Sequence, residues 1–264
     1  MIKKIINNLK YGRRFIRQDG IWEYIWYLNK KPVYFDTFEK LTNQGHYPSK
    51  DLAQLEVSKL LEMSKWSHYF ELYSRYLLNV KKQRKTPIKF LEIGVAKGGS
   101  LDFFRLLLGK SAVIFGIDTD PNCGYVNPRE EVRIGSQIDR DFLGNLIEEM
   151  GGEIDIVVDD GSHVNEHVIE TFCTLFPKLS EGGVYFIEDV CTSYWPGIYR
   201  GGLKRKGTSI EFFKGLIDGV NSTYFQNRNT QVVEINQISA IHFHNNVIVI
   251  EKGRIGSPAI WSNF

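Results

Sequence analysis

From residue 88 onward, short apolar runs alternate with segments whose apolar positions recur every three or four residues. The runs are 88–93, 112–117, 132–134, 154–158 and 184–187; helical spacing fits 100–108, 140–150 and 166–179 between them. Strands alternating with helices of this length predict a parallel sheet with crossover connections. Gly182-Gly183 reads as a helix stop that leads into the last of these strands. Two further runs, 231–243 and 247–252, flank His244-Asn245-Asn246 and predict an antiparallel hairpin. Residues 1–80 read differently. Ile2, Ile5, Ile6, Leu9 and Phe15 recur at helical spacing, an aromatic stretch covers 22–35, and a longer helix is predicted over 51–80. A basic link at 81–87 then marks a boundary, giving a helical extension over 1–85 and an α/β domain over 86–264.

Composition narrows the class. Of 264 residues, 24% are charged and 42% apolar, which excludes disordered and fibrous chains. No stretch approaches the roughly 20 apolar residues of a membrane-spanning helix, and the first residues lack the apolar core of a secretory signal. Cys123, Cys173 and Cys191 lie far apart with no CxxC, which argues against a disulfide framework and a thiolate zinc site and favours a reducing cytoplasm. The net charge is +2, but residues 1–17 hold six cations and no acid, so the remainder carries −4. That remainder is no nucleic-acid binder. The basic first helix suits subunit contacts in a homo-oligomer or, less simply, peripheral contact with an anionic membrane.

The candidate chemistry lies where the strands end. Glu92, Asp118, Asp159-Asp160 and Glu188-Asp189 close four of the runs. In an open α/β sheet ligands bind outside the carboxyl ends of the strands, so these acids face a polar crevice. The first run enters Gly94-Val95-Ala96-Lys97-Gly98-Gly99-Ser100, where glycines admit a ligand to the backbone and Ser100 can cap the next helix. Neither GxGxxG nor GxxxxGK[ST] is present, which sets aside nicotinamide-type fingerprints and P-loop hydrolases. With Asp118 at the next strand end, positioned to accept from both ribose hydroxyls, the turn reads as a nucleoside site. Asp160, Glu188 and Asp189 form a second group. Three clustered carboxylates repel one another, and a hard divalent cation relieves the repulsion: Mg2+ by preference, Mn2+ or Ca2+ as alternatives. Backbone amides or arginines are the competing partners for Glu188 and Asp189. His163, three residues past Asp160, sits on the same rim and can take a proton from a hydroxyl polarised by the cation. His167 is assigned no role, and His242 and His244 read as structural.

Residues 92–100 resemble the first motif of class I S-adenosylmethionine-dependent methyltransferases. Asp159-Asp160-Gly161-Ser162-His163 and Glu188-Asp189-Val190-Cys191-Thr192-Ser193-Tyr194-Trp195-Pro196 are similar to motifs of the magnesium-dependent sugar O-methyltransferases of the macrocin and mycinamicin type. Rhamnosyl O-methyltransferases and cephalosporin-hydroxylase-like proteins are relatives of that group. The resemblance covers about residues 60–255. It implies a Rossmann-like, doubly wound, mostly parallel seven-stranded sheet with an antiparallel terminal hairpin, and an enzyme that methylates a sugar hydroxyl of a glycoside, nucleotide sugar or polysaccharide. It further implies that Glu92, Gly94, Ser100, Asp118, Ser136, Gln137 and Asp159 line the cofactor S-adenosylmethionine. Asp160, Glu188 and Asp189 match the metal ligands and His163 the general base. Lys65, His68 and Tyr73 loosely match a segment that closes over the cofactor.

Tyr194 and Trp195 suit an apolar wall against a sugar face, and the basic, glycine-containing loop 196–208 suits either a lid over an anionic acceptor or a solvated loop. Two other functions fit the residues less fully: metal-dependent methylation of a catechol-like or other non-sugar hydroxyl, and a nucleoside-binding module without chemistry.

Overall fold

The structure is a computed structural model that describes residues 62–125, 131–225, 237–253 and 260–262. The readings made for residues 1–61, and for the start of the run at 231–243, lie largely outside the described residues. Seven strands form one sheet in the order β3-β2-β1-β4-β5-β7-β6. They are β1 (Lys89–Ile93), β2 (Val113–Asp118), β3 (Glu131–Ile134), β4 (Ile154–Asp159), β5 (Leu179–Ile187), β6 (Ile238–His244) and β7 (Val247–Lys252). The first five are parallel, while β7 runs antiparallel to β5 and β6. The expected doubly wound sheet with a terminal hairpin is therefore present.

Strand side chains alternate between two buried layers, as a sheet covered on both faces requires. Phe90, Ile156, Val158, Phe186 and Val249 pack against α1 (Tyr69–Gln83) and α2 (Gly99–Leu108). Leu91, Ile93, Val157, Tyr185, Ile187 and Ile248 pack against α3 (Arg140–Glu149), α4 (Asn165–Leu175) and α5 (Ser209–Gly215). A short α6 (Ile217–Val220) follows. The layer beneath α1 is aromatic: Phe70, Tyr73, Phe103, Phe104 and Phe186 meet at ring-centroid distances of 5.1 to 6.0 Å, mostly edge to face.

Three boundaries differ from the sequence pattern. The helix expected over 51–80 starts, within the described residues, only at Tyr69 and continues to Gln83, because residues 65–68 turn away to reach other partners. The helix after β4 stops at Leu175, and Phe176–Lys178 is a 3-10 turn with Pro177. Gly182-Gly183 then lies inside β5 rather than before it. The pairing with β4 shifts register there, and an added Cβ on Gly183 would meet the Asp155 and Ser180 carbonyls at 2.8 Å.

The chain builds β1, β2 and β3 outward and then returns to place β4 beside β1. The β1/β4 gap is therefore the point where the strand order reverses, and crevices open there. The register is level: Ile93 pairs with Ile117 and Asp159, and Asp159 with Ile187. Residues just past these positions share one rim.

Candidate active site

At the switch point the turn after β1 and the end of β4 are in direct contact. Gly94 has φ +90°, and a Cβ there would lie 2.2 Å from the Asp160 carbonyl oxygen. Only glycine fits both the conformation and the space. The two strand ends are laced by Asp160 N–H to Ile93 O (2.9 Å) and Gly94 N–H to Ile117 O (2.8 Å).

The residues expected on the cofactor side are gathered along this turn, and most are already hydrogen-bonded. Asp118 Oδ2 accepts from the Val95 and Ala96 amides, both at 3.0 Å, and Oδ1 from Asp120 N–H at 2.9 Å. Burial acts to raise this carboxyl, but the three amides, with the Cys123 thiol, outweigh it and hold it below the usual carboxylate range. Glu92 is fully buried and takes the Ser100 hydroxyl at 2.7 Å. Ser100 therefore serves Glu92 and not the helix end, where Gly98 in a left-handed conformation is the cap. Burial pushes Glu92 up to about 7. Ser136 stands at the rim, its hydroxyl 3.4 Å from Ile138 N–H. Gln137 is a buried brace that accepts from Ser162 N–H (2.8 Å) and donates to Thr171 Oγ1 (3.0 Å) and Asp159 Oδ1 (3.4 Å). Asp159, 1% exposed, also takes the Tyr185 hydroxyl at 3.3 Å, and burial pushes it up to about 7.

The acids read as a metal set are together, but they are not equivalent. Asp160 Oδ1 lies 3.6 Å and Asp189 Oδ2 3.9 Å from His163 Nε2. Donor atoms of these three residues all fall within 4.8 Å of one another. Glu188 is buried beside them with both oxygens engaged: Oε1 accepts a short hydrogen bond from the Tyr73 hydroxyl and Oε2 one from Lys65 Nζ at 2.9 Å. Lys65 also reaches Asp160 Oδ2 at 2.7 Å and Glu92 Oε1 at 3.4 Å, its side chain 4% exposed. Burial alone would lower this ammonium, but Asp160, Glu188, Tyr73 and Glu92 outweigh it and hold Lys65 well above the ordinary lysine value. Burial, with Lys65 countering it, raises Glu188. His163 and Asp189 have positive φ, 55° and 51°.

Trp66, Tyr69, Asn246 and Asn165, which the sequence pattern does not mark, complete the frame. Asp189 Oδ1 accepts from Trp66 Nε1 (3.0 Å), Tyr69 OH (2.7 Å) and Asn246 Nδ2 (2.8 Å). Burial, then the neighbouring carboxylates, push the Tyr69 and Tyr73 hydroxyls far up, so both stay protonated donors. Asn165, 1% exposed, ties the start of α4 to Tyr199 O (2.6 Å), Ser193 Oγ (2.9 Å) and Ser209 N–H (2.7 Å). It anchors the 196–208 loop two residues from His163. Gly201 and Gly202 donate back to the Trp195 and Ser193 carbonyls, and the loop's outer residues, 203–207, are exposed. Tyr194 is 40% exposed, and Trp195 meets Tyr199 edge to face. Of the other histidines, His68 bonds the Asn245 carbonyl, His167 bonds Ser162 Oγ, His242 pairs with Glu251, and His244 bonds Tyr76 OH.

The sheet order and the acid-lined switch point define a class I methyltransferase-type domain. Comparison with known proteins agrees. Residues 91–190 match the family described as a methyltransferase domain. The chain is 34% identical over 178 residues to 8-demethyl-8-alpha-L-rhamnosyl tetracenomycin-C 2'-O-methyltransferase of Streptomyces olivaceus, covering 64% of this chain and 47% of that protein. It is 34% identical over 219 residues to mycinamicin VI 2''-O-methyltransferase of Micromonospora griseorubida, covering 77% and 53%. The crystal structure of the MycE methyltransferase of mycinamycin biosynthesis, in complex with Mg and SAH, superposes with a TM-score of 0.64 at 33% identity, over 72% of this chain and 51% of that one. The chain thus carries a methyltransferase domain related to those of the macrolide and rhamnosyl O-methyltransferases. It spans about half the length of these curated relatives. Among the described residues no helix is long and apolar enough to cross a membrane.

Proposed function

We propose that this protein is an S-adenosylmethionine- and divalent-metal-dependent O-methyltransferase acting on a sugar hydroxyl. The observation that carries the reading is the meeting of Asp160 Oδ1, Asp189 Oδ2 and His163 Nε2 at the switch point, beside the Gly94 turn. The relatives add the reaction class, since they are sugar O-methyltransferases, and a MycE crystal structure holds Mg, SAH and mycinamycin VI together.

The residues fit a hard cation. The donors are carboxylate oxygens, two of them face a common point, and the site already draws in one cationic group, the Lys65 ammonium. Asp160, Glu188 and Asp189 would hold the metal. The cofactor would lie over 94–99, with Glu92 and Asp159 supporting the turn from beneath, Asp118 toward the ribose and Ser136-Gln137 toward the adenine. When bound, the two groups supply an electrophilic methyl on a positive sulfur and a Lewis acid that lowers the pKa of an acceptor hydroxyl. The chain's own contribution is alignment and proton removal. His163 Nε2 takes the hydroxyl proton as attack begins, and its left-handed backbone sets the imidazole between the two aspartates. Tyr194 and Trp195 would flank the sugar. Lys204, Arg205 and Lys206, exposed on the loop rooted at Asn165, would favour an acceptor carrying negative charge.

The test is a calorimetric titration with S-adenosylhomocysteine in the presence of Mg2+, followed by mass spectrometry of rhamnosides and nucleotide sugars incubated with protein and S-adenosylmethionine. One-to-one binding and a metal-dependent gain of one methyl support the reading. Folded protein that binds no S-adenosylhomocysteine would sink it.

A further inference from the structure

One nine-residue stretch sends four side chains to the three acids at the switch point. Lys65 Nζ donates to Asp160 Oδ2 and Glu188 Oε2, Trp66 Nε1 and Tyr69 OH donate to Asp189 Oδ1, and Tyr73 OH donates to Glu188 Oε1. These contacts span 95 to 123 positions in sequence. The donors also sort the oxygens. On Asp189, Trp66 and Tyr69, joined by Asn246 from the hairpin turn, all choose Oδ1, and Oδ2 is the atom turned to His163. On Asp160, Lys65 takes Oδ2 and leaves Oδ1 toward His163. A carboxylate free to rotate would present either oxygen, whereas here each aspartate is fixed with one oxygen outward and Glu188 is held through both.

We infer that residues 65–73 are the positioning element of the metal site: they set, before a cation arrives, which carboxylate oxygens it meets. The inference rests on the metal reading given above. Ligands held by a conserved outer set of hydrogen bonds bind metal more tightly, and loss of one such partner typically costs about 10- to 100-fold in affinity or activity. The Asp189 carboxylate keeps two donors when one is removed, so single changes belong near the lower end.

The experiment is calorimetric titration of Mn2+ into the full chain saturated with S-adenosylhomocysteine, for the natural sequence, Tyr69→Phe, Trp66→Phe, Tyr73→Phe and Tyr76→Phe. Trp66 is 43% exposed, so its replacement does not threaten the core. Tyr76 lies on the same helix, but its hydroxyl bonds His244, not the acids, and it serves as the control. The expected result is metal affinity about tenfold weaker for Tyr69→Phe, Trp66→Phe and Tyr73→Phe and unchanged for Tyr76→Phe, with affinity for S-adenosylhomocysteine held within twofold in all. Metal affinity equal to the natural sequence in the first three variants would overturn this inference alone. A natural sequence that binds S-adenosylhomocysteine but no divalent cation would overturn the metal reading and this inference with it.

Discussion

Replacing Gly94 by alanine perturbs the point where the two halves of the site touch, and its size follows from two separate costs. The first is conformational. At φ +90° an L side chain costs roughly 1–2 kcal/mol. The second is steric: the new Cβ would stand 2.2 Å from the Asp160 carbonyl oxygen and 2.8 Å from its carbon. Restoring ordinary contact needs more than about 1 Å of separation between segments held by the Asp160–Ile93 and Gly94–Ile117 backbone bonds. Loosening one such buried bond costs about 1–3 kcal/mol. The expected total is about 2–5 kcal/mol, or a fall in Tm of roughly 4–20 °C for a chain of this size. Gly152→Ala separates the terms, because Gly152 also has positive φ (88°) but nothing within 4 Å of its Cβ position. It should lose only the conformational part. Calorimetric melting of both variants, with Mn2+ titrations of each, checks the reasoning. Gly94→Ala should be clearly the less stable and should bind metal more weakly, since Asp160 must move. Equal Tm losses in the two variants would refute the claim that close packing of Gly94 on Asp160 holds the site.

Three further outcomes are expected. His163→Ala should lower kcat by about 10²- to 10⁴-fold on an acceptor that the natural sequence methylates, while titrations show S-adenosylhomocysteine and metal affinities retained; equal loss of both would remove the base assignment. Lys65→Met should lower the metal-free Tm, by about 3 kcal/mol in stability, because Glu92, Asp160 and Glu188 lose their shared cation. Differential scanning calorimetry in the absence of metal would show the loss. Asp118→Asn should cost about 1 kcal/mol near neutral pH. The Asp118 carboxyl is held below its unfolded value, so its contribution is present above the carboxylate range and lost as pH falls through it. Urea unfolding should therefore show the variant and the natural sequence converging as pH falls below the usual carboxylate range.

The sheet and its acid-lined edge were legible because both depend on local pattern. Four of the five parallel strands contain a short apolar run, and Glu92, Asp118, Asp159-Asp160 and Glu188-Asp189 lie at or within a residue or two of their ends. The β5 start was misread because Leu179-Ser180-Glu181-Gly182-Gly183 carries the same residues as a helix stop, and only its pairing with β4 reveals a strand. The α5–α6 segment passed unremarked although Ile210, Phe213 and Leu216 stand three apart and are buried. What no periodicity could show is the use of α1 and the residues before it. Tyr69, Tyr73 and Tyr76 follow a helical stripe, which accounts for their rings. Their hydroxyls go to Asp189, Glu188 and His244, partners more than 100 positions away that spacing does not encode.

Two residues at this rim carry left-handed backbone, and neither is one of its fully buried acids. Glu92, Asp159 and Glu188 sit at or near strand ends, buried, with oxygens committed to neighbours. Asp189 and His163 instead adopt left-handed backbone at 51° and 55° on neighbouring strand ends. Asp and His tolerate this backbone better than most side chains, though glycine suits it best, and the chain uses glycine at such φ nearby, at Gly94 and Gly98. Ala96, Arg200, Lys204 and Asn246 share such backbone, so what sets His163 and Asp189 apart is where their side chains point. Both strained residues aim that side chain at the same place, His163 Nε2 and Asp189 Oδ2 standing 3.9 Å apart with Asp160 Oδ1 completing the group. That convergence is the observation on which the proposed metal and base roles rest.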